Sequence, residues 1–190
     1  MAGSLETGFK LDRFWHWLRG EMDRSKEPDL AALVQALSVG RVPYAVIGGV
    51  ALQIHQREPR TTIDIDIAVV DRGALPREVL RAAGFSESGR HAHSDNWIGP
   101  AGTPIQFTDD PALRGAVDRA MEVTIGALSL RVIQPADLLH EKLRSGSDSA
   151  RRRSKRLQDL ADAQALLEQD PSLLSQLTPE EKILLANLPD

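Results

Sequence analysis

Asp64 and Asp66 lie in the run Ile63, Asp64, Ile65, Asp66, Ile67, which alternates strictly between apolar and acidic. Period two is the signature of a strand. Side chains two apart on a strand share a face, with Cα atoms about 7 Å apart at a rise of ~3.3 Å per residue. Two carboxylates side by side repel, and a divalent cation held between them removes the repulsion; Mg²⁺ is usually bound by one or two carboxylates together with phosphate oxygens. Upstream, the short apolar run Tyr44 to Ile47 reads as a strand, broken by Gly48 and Gly49 where Val50 to Gln56 turns helical. Glycines there let a ligand approach the backbone, and the free N–H groups and dipole at the start of a helix favour an anion such as phosphate. A lone Gly-Gly is usually a turn, and a lone Asp-x-Asp a solvated strand face. Together, separated by one helix and one loop, they form the layout that metal-assisted nucleotidyl transfer needs.

The elements around this stretch follow from periodicity. Leu11 to Met22 and Asp29 to Val39 carry apolar residues at helical spacing, with Phe14, Trp15 and Trp17 expected as packing residues and Gly40 closing the second helix. Beyond the aspartate strand, Leu75 to Ala83 reads as a helix closed by Gly84. Strands follow at His91 to Ile98 and Thr103 to Thr108, then at Met121 to Ile125 and Leu128 to Ile133, each pair joined by a glycine-containing turn. His91, His93 and Asp95 would share a strand face and are a weaker candidate metal set. The last third reads as helical: one helix from Pro135 to Leu143, one from Arg153 to Glu168, and one opened by Thr178, Pro179, Glu180 and Glu181 in capping-box order. The expected organisation is a helical segment over 1–40, a core sheet over 41–133 and a helical segment over 134–190 packed on the core, one domain overall.

Bulk composition narrows the class. A chain of 190 residues with 42% hydrophobic and 26% charged residues can bury a substantial core, and 4% aromatic content points to a core of Leu, Val, Ile and Ala. The absence of cysteine excludes disulfides and thiolate-held metals. No apolar stretch approaches the ~18–20 residues of a membrane helix, and Met1 to Lys10 lacks a signal pattern, so a cytoplasmic protein without membrane contact is expected. A net charge of −4 gives no global attraction to nucleic acid. A local basic run, Arg151, Arg152, Arg153, Lys155 and Arg156, opposes the dipole at the start of its helix and could meet an RNA.

The stretch from Tyr44 to Val70 resembles the signature of the nucleotidyltransferase superfamily with the DNA polymerase β type of fold: an apolar residue, Gly-Gly or Gly-Ser, a spacer, then Asp-x-Asp in a strand. Gly48, Gly49, Asp64 and Asp66 match it, and the string GGVALQIH with Arg60 and Thr62 is most similar to the AbiEii-like group of toxin–antitoxin nucleotidyltransferases. The resemblance implies an α/β (α+β) fold, a mixed β-sheet flanked by helices with helical N- and C-terminal segments. It implies Mg²⁺ or Mn²⁺ on Asp64 and Asp66, and an NTP such as ATP as co-substrate. Gly48, Gly49, Arg60, Thr62 and Gln106 would meet the nucleotide, and Lys142, in the run DLLHEKL, matches a family lysine that faces the cleft. A solvated helical lysine is the alternative there. Asp159 and Asp162 match a paired acidic pattern of the family, with ion pairs to Lys155 or Arg156 the alternative.

The superfamily's third carboxylate falls in an apolar, acidic, apolar triplet, and the best match here is Ile105, Gln106, Phe107. Gln106 cannot serve as a general base; Asp110 would suit its face if the register differed, and Asp109 would not. The resemblance therefore implies transfer of NMP from an NTP to a hydroxyl on RNA or tRNA, on a protein, or on a small molecule, with an antitoxin as possible protein partner. The alternative is a catalytically weak or silent nucleotide-binding or protein-interaction module of the same fold.

Overall fold

The computed structural model describes residues 3–20, 24–58 and 61–187. Arg60 lies outside the described residues. The chain falls into two compact units, Met1–Ile133 and Gln134–Asp190.

The first unit is built on seven strands: β1 (Tyr44–Ile47), β2 (Ile65–Val69), β3 (Ser86–Arg90), β4 (Ser94–Ile98), β5 (Pro104–Thr108), β6 (Met121–Ile125) and β7 (Leu128–Val132), in the order β3-β4-β5-β2-β1-β7-β6. The sheet is mixed. β2 runs parallel to β5 and β1 parallel to β7, while the other pairs are antiparallel. Helices α1 (Gly3–Leu18), α2 (Glu27–Val39), α3 (Gly48–His55), α4 (Arg77–Ala82) and α5 (Arg114–Asp118) flank it, with α3 against β1, β2 and α1. The central strands read as continuous apolar runs because both faces are covered: all of Tyr44 to Ile47 is buried, as are Ile65, Ile67, Ala68 and Val69.

Several expected boundaries move. β2 begins two residues later than the alternation suggests, since sheet pairing starts at Ile65 and Asp66; Asp64 enters the strand from outside, and Ile63 is 69% exposed. Gly40 is not the left-handed residue after α2. Its φ is −73° and Arg41 takes the positive φ of 51°, while a Cβ at Gly40 would lie 2.7 Å from Pro76. β4 starts at Ser94, so His91 and His93 precede it, and β3 pairs along its edge. Phe14, Trp15 and Trp17 are not packing residues in this unit: each is more than half exposed, with Phe14 and Trp17 stacked on each other.

The second unit comprises α6 (Pro135–Ser147), α7 (Arg153–Gln169) and α8 (Pro179–Ala186). α8 opens on the expected capping box: Glu181 N–H donates to the Thr178 hydroxyl at 3.2 Å, and the Glu181 carboxylate accepts from Thr178 N–H at 2.9 Å. Among the described residues, no helix is long and apolar enough to cross a membrane.

Candidate active site

The site grows from one turn of backbone. β1 ends at Ile47, Gly48 takes φ +62° and α3 begins, so the chain reverses at the end of a buried strand in a conformation that L side chains rarely adopt. Antiparallel pairing sets Ile47 opposite Asp66 and so brings the neighbouring carboxylate over the turn. The approach is so close that a Cβ at Gly48 would lie 2.1 Å from Asp66 Oδ2. Gly49 plays the same part for the preceding segment: its Cβ would meet Thr62 Oγ1 at 2.4 Å, and that hydroxyl donates to Asp64 Oδ1 at 2.7 Å. Two glycines thus carry two acidic arms, one direct and one through a threonine. Both aspartates are half-buried, and Gln106 stands beside Asp66 in the parallel register of β2 and β5.

That register decides the third position. Ile105, Gln106 and Phe107 face Ile65, Asp66 and Ile67, with Ile105 and Phe107 buried and Gln106 exposed. Asp109 and Asp110 lie past the strand's end. Asp109 accepts an ion pair from Arg72 at 2.8 Å, and Asp110 caps the short turn Pro111–Leu113 through Ala112 N–H at 3.0 Å. Neither takes the place of an acid at position 106.

A second layer had no local signal in the sequence. The Lys26 ammonium, 14 residues from its partner, donates to Asp12 Oδ2 at 2.5 Å and to the Thr62 carbonyl at 2.8 Å, and both charged groups are buried. It pins the segment that carries Asp64. Burial pushes the Lys26 ammonium below its ordinary value, with the charges of Asp12 and then Asp64 opposing that fall.

The remaining candidates divide. Lys142 is not solvated: it is 6% exposed, with its Nζ 2.7 Å from Asp159 Oδ1 and 3.0 Å from Asp162 Oδ2. The two helical aspartates therefore meet Lys142 rather than Lys155 or Arg156, and Asp159 also meets Arg151 at 3.1 Å. Within the basic run, Arg151 donates to the Ser145 hydroxyl at 3.2 Å and Arg156 to the Gly146 carbonyl at 3.1 Å. Those two cations have local structural partners, and Arg152, Arg153 and Lys155 are exposed. The His91, His93, Asp95 set is not a metal site, because Asp95 is buried against Arg72 and Arg77; no cluster of three or more metal-ligating side chains occurs among the described residues.

The residues present suit a divalent cation by chemistry. Asp64 and Asp66 offer hard oxygen donors, and the lack of a Cβ at Gly48 lets the Asp66 carboxylate sit directly against the turn.

Solved structures share this architecture. The chain is similar to an antigenic nucleotidyltransferase-like protein from Paracoccidioides brasiliensis, with TM-score 0.54 and 18% identity over 84% of this chain and 91% of that one. It is similar to ANT(2'')-Ia in complex with adenylyl-2''-tobramycin, with TM-score 0.57 and 15% identity over 82% of this chain and 91% of that one. It is also similar to the lincosamide antibiotic adenylyltransferase LnuA, lincomycin-bound, with TM-score 0.53 and 12% identity over 75% and 99%. The chain has the nucleotidyltransferase fold. No family model and no curated protein matches the sequence. In this fold the Gly48 turn and the Asp66 strand are adjacent antiparallel neighbours, so the glycine cradle and the second acid of the pair are one structural feature.

Proposed function

We propose that the chain is a nucleotidyltransferase that moves a nucleoside monophosphate from an NTP to a hydroxyl acceptor. The observation that carries this reading is the seat of Asp66 on Gly48, 2.1 Å from where a Cβ would stand, beside Asp64 held by Thr62 on Gly49. The shared fold with an adenylyltransferase supports it. In the reaction the acceptor oxygen bonds to the α-phosphorus, the bond to the bridging oxygen breaks, and pyrophosphate leaves. Asp64 and Asp66 would hold Mg²⁺ or Mn²⁺, which when bound supplies charge neutralisation for the phosphates. The backbone at Gly48 and Gly49 would approach the phosphates, and Lys26 fixes the Asp64 segment through Thr62. Lys142 would act on a triphosphate only by exchanging Asp159 and Asp162 for it. A toxin-like role, as in the AbiEii-like group, would make RNA or a protein the acceptor.

Incubating the protein with Mg²⁺ and each labelled NTP, with total RNA and with lysate, tests the reading. Label transfer and pyrophosphate release are expected, and Asp66→Asn should abolish both. Transfer unchanged in that variant would sink the assignment.

Gln106 favours a second reading, a nucleotide-binding module without turnover. General-base proton removal is worth ~10²–10⁴ in rate, so Gln106→Asp should raise turnover by at least about tenfold if only the base is missing. Thermal stabilisation by NTP and Mg²⁺ without pyrophosphate release in either protein is the outcome that supports the module.

A further inference from the structure

Beside the carboxylate strand lies a cavity of about 420 Å³, walled by α1, the approach to α2, the segment Thr61–Ile63 and the turn between β4 and β5. Its volume falls within the ~300–1,000 Å³ of small-molecule pockets. Trp15 and Ile63 line it while 52% and 69% exposed, so a large ring and a branched apolar side chain are left in water at its wall. Among the described residues the Arg24 guanidinium lines it, and the lining carboxylate Asp12 already pairs with Lys26. The turn that forms the far wall is fixed by Asp29, whose buried carboxylate accepts from Ala101 N–H at 2.9 Å and Thr103 N–H at 3.0 Å. Thr62 belongs to the wall, and its hydroxyl donates to Asp64 at 2.7 Å, so one residue separates the cavity from the carboxylate pair.

A flat apolar wall with a guanidinium beside it selects a ligand that is planar and anionic. We propose that this cavity binds a nucleoside monophosphate unit of the acceptor, with its base on Trp15 and its phosphate toward Arg24, beside the Asp64–Asp66 pair. The proposal rests on the transferase reading for the word acceptor, but the binding itself needs no metal and no turnover. Stacking of a base on an aromatic side chain survives in water, and guanidinium groups match phosphate oxygens.

Isothermal titration of the full chain with AMP, in EDTA and at low salt, tests it. AMP should bind the wild type, and Trp15→Ala and Arg24→Ala should each weaken binding by about fivefold or more, the lower range of one lost stacking contact. Trp15→Phe should restore most of the affinity. Circular dichroism of each variant establishes that α1 is retained. The proposal is overturned if millimolar AMP does not bind the wild type, or if Trp15→Ala binds as the wild type does. A five-nucleotide RNA tells the two sources apart: tighter binding than AMP with a steeper salt dependence assigns the terminal nucleotide of a strand, and equal or weaker binding assigns a free mononucleotide. AMP binding through Trp15 in a protein that releases no pyrophosphate would fail the transferase reading alone. Transfer by a protein whose AMP affinity ignores Trp15 would fail this inference alone.

Discussion

Two pairs of aspartates, one in each unit, use the same chemistry in opposite ways. Asp159 and Asp162 lie one helical turn apart on α7, are 6% and 7% exposed, and have the Lys142 ammonium within 3.0 Å of both. Asp64 and Asp66 lie two apart at the start of β2, half-buried over a glycine turn, with a hydroxyl on Asp64 and Gly48 backbone beneath Asp66. Buried carboxylates must have a counter-charge built in, because the cost of burying an unpaired ion exceeds what the surrounding packing returns. Half-buried ones keep enough hydration to tolerate each other and remain able to take up a cation from solution. The α7 pair is thus a part of the architecture of its unit, and the β2 pair is the one we propose meets a ligand.

Removing the internal cation should have the largest effect. Lys142→Met leaves two buried carboxylates without their ammonium and should cost about 3–5 kcal/mol in urea denaturation. A loss below ~1 kcal/mol would erase the distinction between the two pairs. Next comes Gly48→Ala, which forces an L residue to φ +62° and drives a Cβ into Asp66. It should cost about 1–3 kcal/mol and abolish transfer, since the carboxylate must move. Full activity in that variant would show that the close seat is unnecessary.

Neutralising the half-buried pair should matter far less for folding. Asp66→Asn should change stability by under about 1 kcal/mol in the absence of metal, and relief of like-charge repulsion could make the sign favourable. Equal destabilisation by Asp66→Asn and Lys142→Met would mean that both pairs are architectural. The smallest effect is a pH dependence in the sheet unit. His55 Nε2 donates to the Ile133 carbonyl at 2.7 Å, and burial pushes its pKa below the ordinary 6.5. The folded state then binds fewer protons than the unfolded one, so stability is complete above about pH 6.5 and falls as pH drops from there toward the folded value. His55→Leu should flatten the melting temperature below pH 6.5; an unchanged slope would place the titration elsewhere.

The sequence by itself determined the parts of this protein that rest on local rules. Gly48 and Gly49 after an apolar run and the Thr178 capping box each arise from backbone geometry within a few residues and have their expected form, while the alternation of Asp64 and Asp66 keeps only its second acid inside β2. The mixed sheet with flanking helices has the form that the resemblance to the nucleotidyltransferase superfamily implied. β3 was illegible because Ser86–Arg90, an edge strand, is polar, and an edge needs no apolar face to signal it. Tertiary structure alone decided the rest. Ile63 fits the alternation yet lies outside the sheet, because pairing partners exist only from Ile65 onward. The parallel register that stands Gln106 beside Asp66 joins strands 40 residues apart. Asp12 on α1 meets Lys26 just before α2, and Lys142 on α6 meets Asp159 and Asp162 on α7. Such pairs have no sequence spacing to announce them, since what brings the two charges together is burial of the helices that carry them, and burial is a property of the whole unit.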